Sequence, residues 1–130
     1  MTEAELGRRY QDYILCLNER RFDALAEFVH DRVIYNGEAK TRAEYRALIA
    51  ASTEAAPDLR FDIGLIVVRG DLVAAKLDFD CRPKGAFIGL VTDGRRITFS
   101  EHVFYRFSDG RIVEVWSLLD RWSVAEQLSR

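Results

Sequence analysis

Cysteine and histidine are both scarce in this 130-residue chain, with two of each. Cys16 and Cys81 stand alone, outside any CxxC pair and away from either histidine, so zinc-ligand spacing is missing. The N-terminus, Met1-Thr2-Glu3-Ala4-Glu5, is acidic where a secretory leader is basic and then apolar. Both cysteines are therefore expected as reduced thiols in a cytoplasmic protein. No uninterrupted apolar run approaches a membrane span, and no membrane partner is expected. No basic block occurs either: Arg8-Arg9, Arg20-Arg21 and Arg95-Arg96 are isolated pairs among 19 basic and 21 acidic residues, for a net charge of −2. Nucleic-acid binding needs a basic face or stripe, so no nucleic-acid partner is expected. The glycines are scattered, without the GxGxxG or Walker pattern of a nucleotide loop. No ligand spacing joins His30 and His102, so neither a metal nor a cofactor is expected.

What the chain does have is an ordinary globular composition, 48% apolar and 31% charged, which excludes disorder. Its length fits one domain over residues 1–130. The first half reads as helical. Leu6, Tyr10, Tyr13, Ile14 and Leu17 recur every three or four residues and form one apolar stripe. Phe22, Leu25, Phe28 and Val29 predict a second, short helix ending at His30, whose charge would suit a helix C-terminus. Val33-Ile34-Tyr35 is extended and closed by the turn pair Asn36-Gly37. Thr41 caps a third helix, with Glu44 as capping-box partner and Tyr45, Leu48 and Ile49 on its buried side. Pro57 limits that helix.

The second half reads as strands. Val73, Ala75, Leu77, Phe79 and Cys81 alternate with Ala74, Lys76, Asp78 and Asp80, giving one dry and one wet face. Gly85-Ala86-Phe87-Ile88-Gly89 predicts a bent or bulged strand. Asp93-Gly94 is a hairpin signal. Residues 97–107 and 112–119 then form a long hairpin through Ser108-Asp109-Gly110-Arg111. Helices followed by a meander define an α+β fold.

The faces of that last hairpin carry the functional signal. One face of the penultimate strand holds Ile97, Phe99, Glu101, Val103, Tyr105 and Phe107. Glu101 is its only charge. A carboxylate on an apolar face is costly unless paired or protonated, and desolvation raises its pKa toward the range of neutral-pH proton transfer. Glu101 is therefore the candidate catalytic residue. Val113, Val115, Ser117 and Leu119 are expected to share the core face of the last strand, opposite Ile112, Glu114, Trp116 and Leu118. The expected pocket lining is Ser117, Tyr105, Val103, Tyr35, Val115, Leu119, Leu77 and Phe99, around a small apolar ligand. On the opposite face, Phe104, Trp116 and Leu118 form a patch too apolar to stand in water, which predicts a homodimer through the outer sheet face.

A resemblance extends these readings. Ala56-Pro57-Asp58-Leu59-Arg60-Phe61, Gly70-Asp71-Leu72-Val73-Ala74, Gly85–Gly89, Thr92–Phe99, Tyr105–Glu114 and Glu126-Gln127-Leu128 resemble, in order, the SnoaL-like (ester cyclase, polyketide cyclase) branch of the nuclear-transport-factor-2-like superfamily. The resemblance implies a cone-shaped, curved, mixed or antiparallel sheet wrapped by three N-terminal helices around an apolar pocket. It also implies a cofactor-free reaction. In the polyketide cyclases of that family a cavity Asp on the last strand is the acid/base of an aldol ring closure, assisted by a cavity His and a polar residue on the preceding strand. Aligned on Arg106 and Asp109-Gly110, those positions read Ser117, Val103 and Glu101. Two readings follow: a cyclase or isomerase that works through Glu101, or a non-catalytic ligand-binding or dimerisation domain.

Overall fold

The computed structural model describes residues 1–130. Helix α1, Glu3–Asn18, starts from a capping box in which the Glu5 amide donates to Thr2 Oγ1 (3.1 Å) and the Thr2 amide to Glu5 Oε1 (3.2 Å). Such a cap contributes about 1 kcal/mol. Its buried stripe is Leu6, Tyr10, Tyr13, Ile14, Cys16 and Leu17, the 3.6-residue period made physical. Helix α2, Arg42–Ala55, has the expected box between Thr41 and Glu44 and stops two residues short of Pro57.

The segment between them differs from the expected second α-helix. Phe22–Glu27 is a single 3-10 helix, and Val29 already opens strand β1, Val29–Tyr35. Val29 pairs in parallel with Ile112 of the last strand, so a distant partner overrides the local helical pattern. His30 consequently lies in a strand, where its Nδ1 meets Asp31 Oδ1 at 2.8 Å, and not at a helix C-terminus.

Strands β2 (Glu38–Thr41), β3 (Asp62–Arg69), β4 (Leu72–Cys81), β7 (Ile97–Ser108) and β8 (Arg111–Leu119) complete a mixed six-stranded sheet in the order β2-β1-β8-β7-β4-β3. Between β4 and β7 stands a separate hairpin, β5 (Ala86–Phe87) and β6 (Leu90–Val91), in place of the expected bent strand. Ile88 (φ 48°) and Gly89 (φ 80°) make its turn, a left-handed pair that is unusual for a β-branched residue. Asp93-Gly94 joins no two paired strands; Arg95 folds back onto the Asp93 carboxylate there. A last helix, α3 (Arg121–Leu128), is capped by Asp120, buries Val124, and ties down through Gln127, which bonds both Thr98 backbone groups.

One parity expectation fails. Arg106 pairs with Glu114 but Phe107 with Ile112, so Val113 is an extra residue bulged out of β8. A bulge switches the face of everything before it. Ile112, expected outside, is fully buried, and Val113, expected in the core, is partly exposed. Beyond the bulge the expected parity holds through Leu119.

Candidate functional site

A cavity of about 100 Å³ lies between the inner face of the sheet and helices α1 and α2, next to the β5–β6 hairpin. Its wall is apolar except at a few hydroxyls and one carboxyl. Of the residues marked out by the sequence, Glu101, Tyr105, Tyr35, Val115, Leu119, Leu77 and Phe99 line it. Two do not. Val103, between Ala75 and Ser117 in the ladder, is a short side chain only 2% exposed and does not reach the wall. Ser117 stays off the wall and reaches it through Glu101.

Glu101 stands opposite Leu77 on one side and Leu119 on the other. The partly buried Ser117 hydroxyl donates to Glu101 Oε2. Burial raises the Glu101 carboxyl above the usual carboxylate range, and the Ser117 bond opposes that rise by favouring the charged form. No basic side chain pairs with Glu101. With no cation there to offset the burial, the carboxyl holds its proton more firmly than an exposed one, the direction a proton carrier needs.

Asn36 fixes the serine. Its left-handed backbone (φ 48°) lets the side chain turn back onto β8. There its Oδ1 accepts from the Ser117 amide (2.8 Å), its Nδ2 donates to the Ser117 carbonyl (3.2 Å), and its own amide donates to the Val115 carbonyl (2.9 Å). The Asn36-Gly37 pair was legible as a turn; that its side chain positions Ser117 was not, because the contact spans 81 residues.

The cavity has two unlike walls. Phe79 stacks on Phe99 at 4.9 Å, with Phe61 and Phe87 edge-on at 5.4 and 5.8 Å from Phe79 and Phe99 respectively. The other wall holds Tyr13, Tyr35, Tyr45 and Tyr105, with Tyr10 packed behind at 4.9 Å from Tyr105. All five tyrosines of the chain thus gather at one place. The Tyr13 and Tyr45 hydroxyls meet at 2.7 Å, and Tyr10 donates to Tyr105 at 3.5 Å. Burial pushes the phenols of Tyr10, Tyr13, Tyr45 and Tyr105 far above their ordinary value, so they remain neutral donors. Helix periodicity placed Tyr13 and Tyr45 in the core without showing that they face a cavity. The available signal was that a buried tyrosine needs a partner for its hydroxyl.

No three His, Cys, Asp or Glu side chains cluster as metal ligands would. Cys16 and Cys81 are buried free thiols. No helix is long and apolar enough to cross a membrane.

A sheet curved around a walled cavity, with a lone carboxyl on its inner face, places the molecule among the α+β cone proteins. The family model for SnoaL-like polyketide cyclases matches residues 6–128, and the chain belongs to that family. A crystal structure of a SnoaL-like polyketide cyclase from Agrobacterium tumefaciens is 40% identical, with a TM-score of 0.92 over 98% of this chain and 99% of that one. TsrD from Streptomyces laurentii (22% identity, TM-score 0.87, 98% and 97% covered) and IdmH from Streptomyces antibioticus (21%, 0.82, 96% and 99%) share the fold. No protein of curated function matches the chain.

Proposed function

We propose that the cavity is the active site of a cofactor-independent cyclase or isomerase in which Glu101 moves a proton within one small, apolar, oxygen-bearing substrate. The observation that carries this reading is the single carboxyl on the cavity wall, held by Ser117 and free of any cation. As carboxylate, Glu101 takes a proton from carbon beside an oxygenated centre; as acid, it returns the proton elsewhere on the same molecule. Such a group contributes about 10²–10⁴-fold. In deuterium oxide, wild-type protein should place deuterium beside the oxygenated carbon of monocyclic ketones, lactones or 1,3-diones, read by proton NMR. Glu101→Gln should slow that exchange by about 10²–10⁴-fold, and equal rates in the two proteins would refute the role.

A second reading, a non-catalytic ligand-binding or dimerisation domain, is favoured by the cyclase Asp and His positions that read Ser117 and Val103 here. It predicts a ligand that binds and is recovered with no deuterium incorporated.

The same protein is proposed to work as a cytoplasmic homodimer. Phe104 (54% exposed) and Leu118 (72%) lie on the outer sheet face. Val67, Ala74, Phe104 and Trp116 are successive register partners across four strands and make one apolar row. Helix α3 packs against β7 yet leaves Phe104 and Leu118 exposed, which supports a second subunit as the cover. The doubly substituted Phe104→Lys/Leu118→Lys protein should elute as a folded monomer where wild type elutes as a dimer; a monomeric wild type would end the proposal.

A further inference from the structure

Tyr10, Tyr13, Tyr45 and Tyr105 are all buried and carry four phenolic protons. Two hydrogen bonds join them, and each uses one proton. Every hydroxyl oxygen therefore has a partner, yet two protons have no protein acceptor. One belongs to Tyr105, which accepts from Tyr10. The other belongs to whichever of Tyr13 and Tyr45 accepts in their bond. These three residues line the cavity and Tyr10 does not, so the uncommitted protons belong to residues of its wall. Tyr13 and Tyr105 are adjacent, with ring centroids 6.0 Å apart. A buried donor without an acceptor is costly. In an otherwise apolar cavity, the group that relieves it is an acceptor oxygen on the ligand.

Three properties narrow that ligand. It must bring an acceptor, which an ammonium group lacks. It must be neutral, because a carboxylate would be desolvated beside Glu101 with no cation on the wall. It must be small: the cavity, at about 100 Å³, is below the roughly 150 Å³ apolar cavity that holds benzene in another protein. A single ring entering partly from the mouth is the limit; fused rings exceed it.

We propose that the tyrosine wall is a two-donor site for the carbonyl oxygen of a neutral, single-ring ketone or lactone, with Tyr105 and the Tyr13–Tyr45 pair as the donors. This rests on the proton-transfer reading above and names its substrate class. Glu101 lies between Phe99 and Tyr105 on one face of β7, so a ring whose oxygen reaches the tyrosines presents its neighbouring carbon to the carboxylate. The C–H bond breaks, its proton goes to Glu101, and its electron pair becomes the carbon–carbon double bond of an enolate. The oxygen takes the negative charge and the two phenols hydrogen-bond it. Return of the proton from Glu101 to the same or another carbon restores the carbonyl, and no oxidant or reductant is consumed.

The test measures binding, separately from exchange. Cyclohexanone labelled with ¹³C at its carbonyl is titrated against methylenecyclohexane, a matched hydrocarbon without the acceptor, and against cyclohexanecarboxylate and 2-decalone. The ketone should bind at least about tenfold more tightly than the hydrocarbon, as two neutral hydrogen bonds would give. Its carbonyl resonance should move downfield on binding, and the carboxylate and the two-ring ketone should fail to compete. Tyr105→Phe and the double variant Tyr13→Phe/Tyr45→Phe, which keep the rings, should each reduce the ketone preference about fivefold and shrink the carbonyl shift. Hydrocarbon affinity should be unchanged, which also reports that the cavity is intact. Equal binding of ketone and hydrocarbon, a preference that survives the triple variant Tyr13→Phe/Tyr45→Phe/Tyr105→Phe, or no binding by any ligand would overturn the proposal. Binding without exchange in the wild type would remove the proton-transfer reading and leave the carbonyl site standing.

Discussion

The phenylalanine and tyrosine walls use rings of nearly the same size, but only one of them carries oxygen. Phe61, Phe79, Phe87 and Phe99 fill space through stacked and edge-on contacts, and every atom of their rings is satisfied by packing alone. Tyr10, Tyr13, Tyr45 and Tyr105 fill space equally well but add hydroxyls whose protons outnumber the acceptors around them. The first wall is what stability requires. The second carries polar groups that stability alone would replace by phenylalanine. A protein holds on to such groups where a ligand uses them.

The largest expected break of this contrast is on the phenylalanine side. Phe79→Ala should cost about 3–5 kcal/mol by urea denaturation, because a buried ring is lost and its neighbours only partly collapse. A loss below about 1 kcal/mol would mean that the ring is not part of the stabilising core. Tyr13→Phe should cost less, about 1–3 kcal/mol, since Tyr45 is left with a buried hydroxyl deprived of its partner. Removing both hydroxyls, in Tyr13→Phe/Tyr45→Phe, should restore stability to within about 1 kcal/mol of wild type, because two apolar groups of the same shape replace a matched polar pair. Additive losses in that cycle would show that the tyrosine wall holds the fold together as the phenylalanine wall does.

The smallest expected effect belongs to Glu101, between the two walls, and depends on pH. Its carboxyl titrates above its ordinary 4.5 in the folded protein because burial favours the neutral acid. The native state then holds a proton that the unfolded state has released, so stability falls as pH rises. The contribution is fully present below about pH 4.5 and is lost as pH climbs through the raised folded value. Glu101→Gln should match wild type near pH 4 and become the more stable of the two toward pH 8. A wild type that gains on the variant over that range would place the carboxylate in a site that welcomes its charge.

Strand alternation made much of this legible before any coordinates. The inward face of β7, the dry face of β4 and the capping box of α2 follow from a period of two, a period of 3.6 and one Thr-to-Glu spacing. The failures have physical causes of their own. The Val113 bulge inserts a residue that no composition announces, and it reversed Ile112 and Val113. Val29 and His30 carry helical periodicity but are claimed by a strand 83 residues away. At the site, Glu101 was conspicuous because one charge among apolar neighbours is visible in one dimension. Tyr13 and Tyr45 were not, because periodicity tells which side of a helix is dry and not which dry side chains border an opening. Asn36 was hidden for the same reason: a turn residue's backbone role is local, while its side-chain grip on Ser117 is not.

The strand order has a consequence for how the molecule comes into being. The earliest strand, Val29–Tyr35, lies beside the latest, Arg111–Leu119, and the two run parallel. During synthesis the first third of the chain must wait, with α1 displaying its tyrosine stripe, until the ribosome has delivered nearly everything else. Such long-range closure folds slowly and leaves apolar surface uncovered meanwhile. The space around Glu101, walled by both early and late segments, is therefore among the last features to form.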